Sequence, residues 1–336
     1  MALIRVLILS LLVVLAPSVP AQQFHLPTPN RQFGVGDEAR FYAPTSPDRD
    51  WVSGSYGCVR TKGGQFHEGI DILRVNTDRH GEPIDKITAA AEGQVAYLSR
   101  SSGASLYGKY VVLQHKVEGV LIYTLYAHLS SIKDSLRIGS QVRAGTMLGI
   151  LGRTANTRTR IGRERAHVHF EVALLANRQF SGWHKKAYEG KNEHGIWHGW
   201  NLLGLDPTEV FRRPATAGNG FSMLNYIRYQ REMCRVLVPK TDFSFARDYR
   251  PLMRRNATAE RAGIDGYELV LNFAGIPCQL IPRSKQEVKF ESGYTLLRVI
   301  ESEALSNRCR KLITKERGKW RLTKTGTRFL DILTFR

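Results

Sequence analysis

Histidine and aspartate residues recur at short spacings in two segments of this sequence. In the segment 66–72, His67 and Asp71 are four residues apart, and in the segment 166–171, His167 and His169 are two residues apart. Residues i and i+2 of a β-strand project from the same face, so these two histidines would lie side by side. Zinc binds imidazole nitrogen and carboxylate oxygen, and a catalytic zinc site takes three protein ligands and a water. The sequence therefore predicts a zinc site made by a histidine, an aspartate and one histidine of the pair.

Short apolar segments separated by turn residues surround these motifs. Five of them have the composition of β-strands, and they cover residues 93–98, 110–114, 121–126, 147–151 and 167–172. Strand signals at such close spacing predict an antiparallel sheet or a barrel-like fold. In that fold His167 and His169 lie on a strand, and a further histidine, His128, follows the strand 121–126.

The order of these motifs resembles the LytM/lysostaphin-type family of zinc metalloendopeptidases, which cut peptide bonds in peptidoglycan. The segments that carry the resemblance are Ser55–Gly57 with Arg60, Phe66–Asp71, Ala89–Val95, Leu125–Ser130, Ile138–Gly149, His167–Glu171 and Asp206–Pro207. The resemblance spans residues 54–211 and implies a β-rich catalytic domain with an antiparallel sheet. We assign residues 51–212 to this zinc metallopeptidase domain.

The resemblance also implies roles for the five motif residues. His67, Asp71 and His169 would bind one zinc ion per chain, while His128 and His167 would be catalytic. These two imidazoles would transfer the proton of the attacking water and stabilise the oxyanion, and the sequence does not decide which does which. Some members of the family have lost ligands and activate other wall hydrolases. Because all five positions are intact here, we expect an enzyme; a non-catalytic activator and a metallopeptidase acting on a non-wall protein are the alternatives.

Two segments depart from the family pattern. The segment Arg153–Arg165 is basic where the family has a short turn, and we expect it to border the cleft. The segment Leu175–Leu205 is an insertion rich in tryptophan and histidine. Its aromatic side chains could stack on sugar rings or peptide stems, or they could form a small core that anchors a long loop.

The first 21 residues have the composition of a cleaved signal peptide. Arg5 precedes a short apolar run, Val6–Leu15, and Val19 and Ala21 occupy positions that suit signal peptidase. We therefore expect export to the periplasm or the cell wall, peptidoglycan as the partner, no nucleic-acid partner and no integral membrane segment. Residues 22–50 follow as a polar approach segment that we expect to wrap the catalytic domain.

The remainder of the chain predicts a linker at residues 213–220 and a smaller α+β domain at residues 221–336. We expect helices at 221–237 and 245–262, strands at 267–273, 294–300 and 320–322, and weak alternation at 328–335. The formal net charge of the chain is +19, and residues 308–336 hold ten basic and two acidic side chains. Such a segment could bind anionic envelope polymers or could be a solvated surface.

Four cysteines, at positions 58, 234, 278 and 309, are too widely spaced for a tetrathiolate zinc site. In an oxidising compartment disulfides are expected. Three of the four lie beyond residue 230, so we expect at least one bridge among those three and a free Cys58.

Overall fold

The structure is a computed structural model that describes residues 23–45, 50–156, 161–217 and 220–336. The predicted signal peptide lies outside these residues. Every helix in the described ranges is too short or too polar to cross a bilayer. The strands of the catalytic domain are β1 (Gly57–Arg60), β2 (Gln65–His67), β3 (Ile70–Leu73), β4 (Lys86–Thr88), β5 (Gly93–Ser99), β6 (Lys109–Val117), β7 (Val120–Leu129), β8 (Ser131–Ile132), β9 (Gln141–Val142), β10 (Met147–Ile150), β11 (His167–Leu175) and β12 (Leu202–Leu205).

The central sheet of this domain has seven strands in the order β12-β11-β7-β6-β5-β9, with β3 paired to one part of β11. All these pairings are antiparallel, and β1–β2 and β4-β10-β8 form two smaller sheets. The β-rich, antiparallel fold predicted from the sequence is therefore confirmed. Three short helices complete the domain: α1 (Glu38–Phe41), α2 (Phe180–Ala187) and α3 (Pro207–Ala217).

Strand β11 lies inside the sheet, and all nine of its residues are buried. Its even-numbered residues from Val168 to Leu174 pack into the main hydrophobic core. On the other face, Ala173 and Leu175 pack into a second apolar cluster, while His167 and His169 occupy the opposite end of that face. One face of a single strand thus changes from apolar to polar along its length, and the polar end is where the site lies.

The approach segment packs against the catalytic domain over residues 23–45. Phe24 and Phe41 are buried in the main core, and the Ala43 amide donates a hydrogen bond of 2.8 Å to the Asp71 carbonyl. The segment thus supports strand β3. Without it, the backbone carbonyl of Asp71, a predicted metal ligand, would lack this hydrogen bond.

The C-terminal part of the chain contains both helices and strands. A four-stranded antiparallel sheet has the order β15-β14-β13-β16, and β17 and β18 form a hairpin. The elements are α4 (Met223–Arg228), β13 (Cys234–Val238), α5 (Ser244–Asp248), α6 (Ala257–Ala262), β14 (Gly266–Leu271), β15 (Pro277–Arg283), β16 (Thr295–Val299), α7 (Glu301–Ser306), β17 (Ile313–Glu316), β18 (Lys319–Leu322) and α8 (Lys324–Thr334).

Several predictions for this part of the chain are wrong. The segment 221–237 is a short helix followed by a strand. Cys234–Val238 forms a strand because it pairs with β14 on one edge and with β16 on the other. The spacing of its apolar residues matched a helical period, which led to the wrong prediction. The segment 245–262 breaks into α5 and α6, with Pro251 between them. Residues 328–334 belong to α8, in which Phe329, Leu330 and Leu333 form one buried face, and Phe335 follows the helix in extended conformation.

The predicted linker and the predicted disulfide also differ from the structure. Helix α3 continues to Ala217, supported by ion pairs from Glu209 to Arg212 and Arg213, so most of the segment 213–220 that the structure describes is helical. The bridge joins Cys58 to Cys309, which are 251 residues apart, and Cys234 and Cys278 are buried free thiols. The sequence-based expectation of a bridge among the last three cysteines is therefore wrong.

The two parts of the chain share one continuous hydrophobic core. The ring of Phe273 lies 6.0 Å from that of Phe66, and the Asn177 side-chain amide donates hydrogen bonds of 2.6 and 2.8 Å to the Ile332 and Phe335 carbonyls. Backbone groups buried at this junction are thus satisfied across it, which ties the end of α8 to the end of β11.

Candidate metal centre and active-site cleft

The short connection from β2 to β3 and strand β11 bring three potential metal ligands together. His67 ends β2, Asp71 lies on β3, and His169 stands directly opposite Asp71 in the β3–β11 register. The connection passes so close to β11 that a Cβ atom on Gly69 would lie 2.2 Å from the Phe170 carbonyl oxygen. Only glycine fits there, so the Gly at position 69 of the motif is a packing requirement.

The three potential donor atoms form a small triangle. His67 Nε2 lies 3.0 Å from His169 Nδ1 and 3.3 Å from Asp71 Oδ1, and His169 Nδ1 lies 2.9 Å from Asp71 Oδ1. Tetrahedral zinc with ligands at 2.0–2.1 Å would separate its donors by about 3.3 Å. The triangle therefore fits zinc after an outward movement of a few tenths of an ångström. It is the one group of three such donors among the described residues.

Hydrogen bonds outside the triangle orient both histidines. His67 Nδ1 contacts the Ser55 carbonyl oxygen at 2.7 Å, and His169 Nε2 contacts Glu171 Oε1 at 2.9 Å. If each of these nitrogens carries the proton, His67 Nε2 and His169 Nδ1 present lone pairs to the triangle. The Tyr107 hydroxyl donates to Glu171 Oε1 at 2.7 Å and holds that carboxylate in place. Sequence reasoning gave Glu171 no role, although its position two residues after His169 places it on the same strand face.

The electrostatics of the triangle favour a cation. Burial alone would lower the pKa of His169, yet its hydrogen bonds with Asp71 and Glu171 raise it to about 9. Burial alone would raise the pKa of Asp71, but the charges of His67 and Arg60 hold it well below its usual range. The Arg60 guanidinium donates to Asp71 Oδ2 at 2.5 Å and was missed as a site residue. The Asp71 carboxylate is thus ionised and poised to attract positive charge.

The two remaining histidines of the motifs lie beside the triangle. His167 Nε2 is 3.6 Å from Asp71 Oδ1, and the His128 ring is 4.9 Å from the His167 ring. Their Nδ1 atoms contact backbone carbonyl oxygens, of Arg165 at 2.6 Å for His167 and of Thr154 at 2.8 Å for His128. Burial lowers the pKa of both and brings that of His128 to about 3. Both imidazoles are therefore neutral at pH 7 and able to accept a proton at Nε2.

The backbone of His128 adopts the left-handed conformation, with φ of 62°. A non-glycine residue in that region costs free energy, and such positions cluster at functional sites. The Thr154 carbonyl fixes the ring, and the Tyr107 carbonyl accepts from the His128 amide at 2.9 Å. The strain at the end of β7 is thus held by two loops, and it directs the His128 ring to His167.

A cleft of about 830 Å³ opens over the triangle. The described part of the basic loop borders it, as expected, through Ala155, Ile161 and Arg165. Its lining also includes the site histidines His128, His167 and His169, Thr45 and residues between Arg60 and Glu68. The loop Ala104–Tyr107, the insertion from Lys191 to Trp200, and the C-terminal segments Cys309–Leu312 and Thr325–Ile332 supply the remainder.

The aromatic insertion contains the small core that was one of the two arrangements the sequence left open. Trp183 is buried, and its ring lies 5.6 Å from that of Phe180, so part of the insertion is a small core. Trp200 is 38% exposed and lines the cleft. Stacking of Trp200 on a substrate stays a prediction.

An antiparallel β-domain that presents two histidines and an aspartate to a cleft, with two more histidines beside them, is the arrangement of a metallopeptidase. Residues 65–180, about a third of the chain, match the sequence model of peptidase family M23.

Several solved structures are similar to parts of this chain. The catalytic domain of lysostaphin from Staphylococcus simulans is 24% identical over 35% of this chain and 74% of its own, with a TM-score of 0.25. A mutant catalytic domain of the prophage-encoded M23 protein EnpA from Enterococcus faecalis is 27% identical over 39% of this chain and 79% of its own, with a TM-score of 0.27. A putative glycyl-glycine endopeptidase LytM from Ruminococcus gnavus is 20% identical over 53% of this chain and 61% of its own, with a TM-score of 0.30. No curated protein matches the chain.

Proposed function

We propose that the chain is an exported zinc-dependent endopeptidase that hydrolyses peptide bonds in the stem peptides or crosslinks of peptidoglycan. The observation that carries the proposal is the donor triangle of His67, Asp71 and His169, with separations of 2.9–3.3 Å, beside two neutral imidazoles, one buried and one half-buried. The match of residues 65–180 to the M23 family model supports the reaction class.

In this proposal His67, Asp71 and His169 would hold one zinc ion, and the bound ion would supply the Lewis acidity that activates water and polarises the scissile carbonyl. His167, whose Nε2 faces the triangle, accepts the proton of the attacking water and later returns it to the leaving amine. His128 would stabilise the oxygen that becomes negative once its Nε2 has taken up a proton. Their Nδ1 contacts to backbone carbonyls keep Nε2 of each ring available for these transfers.

Two residues outside the predicted set complete the mechanism. Arg60 binds the second oxygen of Asp71, so the carboxylate keeps one oxygen directed at the triangle. Glu171, fixed by Tyr107, accepts from His169 and increases the basicity of its inward nitrogen. Both hold the ligands in place.

The test is incubation of the zinc-loaded full chain with sacculi and with purified dimeric muropeptides, followed by mass spectrometry and an assay for new amino groups. We expect one zinc per chain and conversion of dimers to monomers. Dimers left intact while another substrate is cut would overturn the wall assignment. No amine release, with stimulation of other wall hydrolases, would establish a non-catalytic activator instead.

Export and wall attachment are parts of the proposal with tests of their own. Cleavage after Ala21 would give a mature chain that begins at Gln22, which intact-mass measurement of the protein from its host would detect. If the basic residues of 308–336 retain the enzyme on anionic envelope polymers, moderate salt should release it from sacculi, because exposed charges are screened over about 8 Å at physiological ionic strength. Retention that is insensitive to salt would exclude charge as the cause.

A further inference from the structure

The C-terminal part of the chain supplies a wall of the active-site cleft. The lining includes Cys309–Leu312, which lies before β17, and the α8 residues Thr325, Arg328, Phe329 and Ile332. These residues are more than one hundred positions beyond β11, yet they border the same cleft as His128, His167 and His169. We call these two segments the C-terminal wall.

Covalent and noncovalent contacts fix the C-terminal wall to the strand that carries His67. Cys309 is bonded to Cys58 on β1, and Cys58 lies opposite Phe66 in the β1–β2 register. The next residue, Arg310, places its guanidinium 4.8 Å from the centre of the Phe66 ring and donates to the Ala274 carbonyl at 3.2 Å. The wall is therefore held at a constant position relative to the neighbouring His67.

Six cationic side chains line the cleft, and three of them have a carboxylate partner. Arg60 pairs with Asp71, Lys191 with Glu193 and Arg310 with Glu68. In the described parts of the chain, no carboxylate lies within ion-pair distance of the other three, Arg165, Lys311 and Arg328.

These three cations are available to a ligand. Lys311 and Arg328 are exposed, and the Arg328 guanidinium lies 5.1 Å from the centre of the Trp200 ring. Arg165 Nε is buried without a hydrogen-bond partner, while Nη2 donates to the Thr45 carbonyl at 3.1 Å. A buried donor that lacks an acceptor costs free energy, which an anionic group entering the cleft would recover.

We infer that Lys311 and Arg328 of the C-terminal wall, together with Arg165, form a subsite for carboxylate groups of the peptide substrate. The C-terminal part thereby determines specificity, by selecting peptides that carry free carboxylates on the segment beside the scissile bond. The cleft volume suits a short peptide better than a long polyanion, which would need an open surface. This inference rests on the proposed endopeptidase function and names the chemistry of its substrate.

The experiment compares two double variants of the full-length, zinc-loaded chain. The test variant is Lys311→Glu with Arg328→Glu. The matched control is Arg321→Glu with Lys324→Glu, which changes the net charge equally at exposed positions of β18 and α8 outside the cleft lining. Two crosslinked peptides serve as substrates, one with free side-chain and terminal carboxylates and one with the same groups amidated.

For the test variant we expect KM for the carboxylate peptide to rise about tenfold while kcat is retained, since two exposed charge contacts are reversed. KM for the amidated peptide should stay unchanged, and the control variant should behave as the wild type with both peptides. A charge-conserving variant, Lys311→Arg with Arg328→Lys, should keep most of the preference. Circular dichroism melting of each variant separates a folding defect from a loss of binding.

The outcomes separate this inference from the proposed function. If the wild type cuts both peptides with one KM, or if the test variant keeps the wild-type preference, the subsite is refuted and the endopeptidase stands. If the control variant loses the preference equally, general charge and not the C-terminal wall is responsible, and the inference fails. A wild type that cuts neither peptide overturns the proposed function and the inference with it.

Discussion

The Cys58–Cys309 bridge should contribute strongly to stability, because it closes a very long loop. The two cysteines are 251 residues apart, and the chain-entropy relation gives about 5.5 kcal/mol for a loop of that size. Removing a native disulfide costs about 2–5 kcal/mol in measured cases, so we expect the free energy of unfolding to fall within that range. The perturbation is Cys58→Ser with Cys309→Ser, or reduction of the wild type.

The assay is equilibrium denaturation followed by tryptophan fluorescence, with and without reductant. Reductant should move the unfolding curve of the wild type onto that of the double serine variant. The curve of the variant should not change with reductant. The matched control, Cys234→Ala with Cys278→Ala, keeps the bridge and removes the two buried free thiols, so its curve should still move with reductant. Thiol titration of the denatured wild type should find two thiols before reduction and all four cysteines after it.

The reasoning is refuted if oxidised and reduced wild type unfold at the same denaturant concentration, or if four thiols titrate before reduction. Reduction should also affect catalysis, because the bridge holds the C-terminal wall beside Phe66. The KM for the carboxylate peptide should then rise in the reduced protein under conditions where it remains folded. An unchanged KM would show that the shared core alone positions the wall.

Three further predictions concern buried groups of the catalytic domain. His169→Ala should lose zinc, whereas His167→Ala should keep much of it and lose turnover; equal zinc loss in metal analysis of the two would contradict the assigned roles. Glu171→Gln should weaken zinc binding about 10- to 100-fold in a chelator competition, since the carboxylate orients His169; an unchanged affinity would exclude that role. Burial lowers the pKa of His115 from 6.5 to about 4. Because the unfolded chain binds the proton more tightly, the free energy of unfolding should fall by about 3 kcal/mol as pH drops from 6.5 to about 4. His115→Gln should flatten this dependence in denaturation at pH 7 and pH 4, and a slope unchanged by the substitution would refute it.

Motif spacing predicted a donor set of a histidine, an aspartate and one histidine of the pair, and the family resemblance selected His169. His67 and Asp71 lie on consecutive strands joined by a short connection, and the alternation of β11 places His169 on the face of His167. These are local relations, set by strand periodicity over a few residues. The same periodicity predicted the principal strands of the sheet.

The supporting contacts of the site were beyond sequence reasoning. Arg60 reaches Asp71 across a hairpin, and Tyr107 reaches Glu171 from a loop 64 residues earlier in the chain. Such contacts depend on which strands pair and at what register, which the pattern of a single strand does not contain.

The sequence by itself determined the chemistry of this protein, a histidine- and aspartate-rich set of motifs on short strands. The tertiary structure decided what surrounds that chemistry. It joined Cys58 to Cys309, made α8 a helix where the sequence alternates only weakly, and brought Lys311 and Arg328 to the cleft. The physical reason is separation along the chain: periodicity acts over a few residues, whereas the cleft is closed by burial and bonding between segments more than one hundred residues apart.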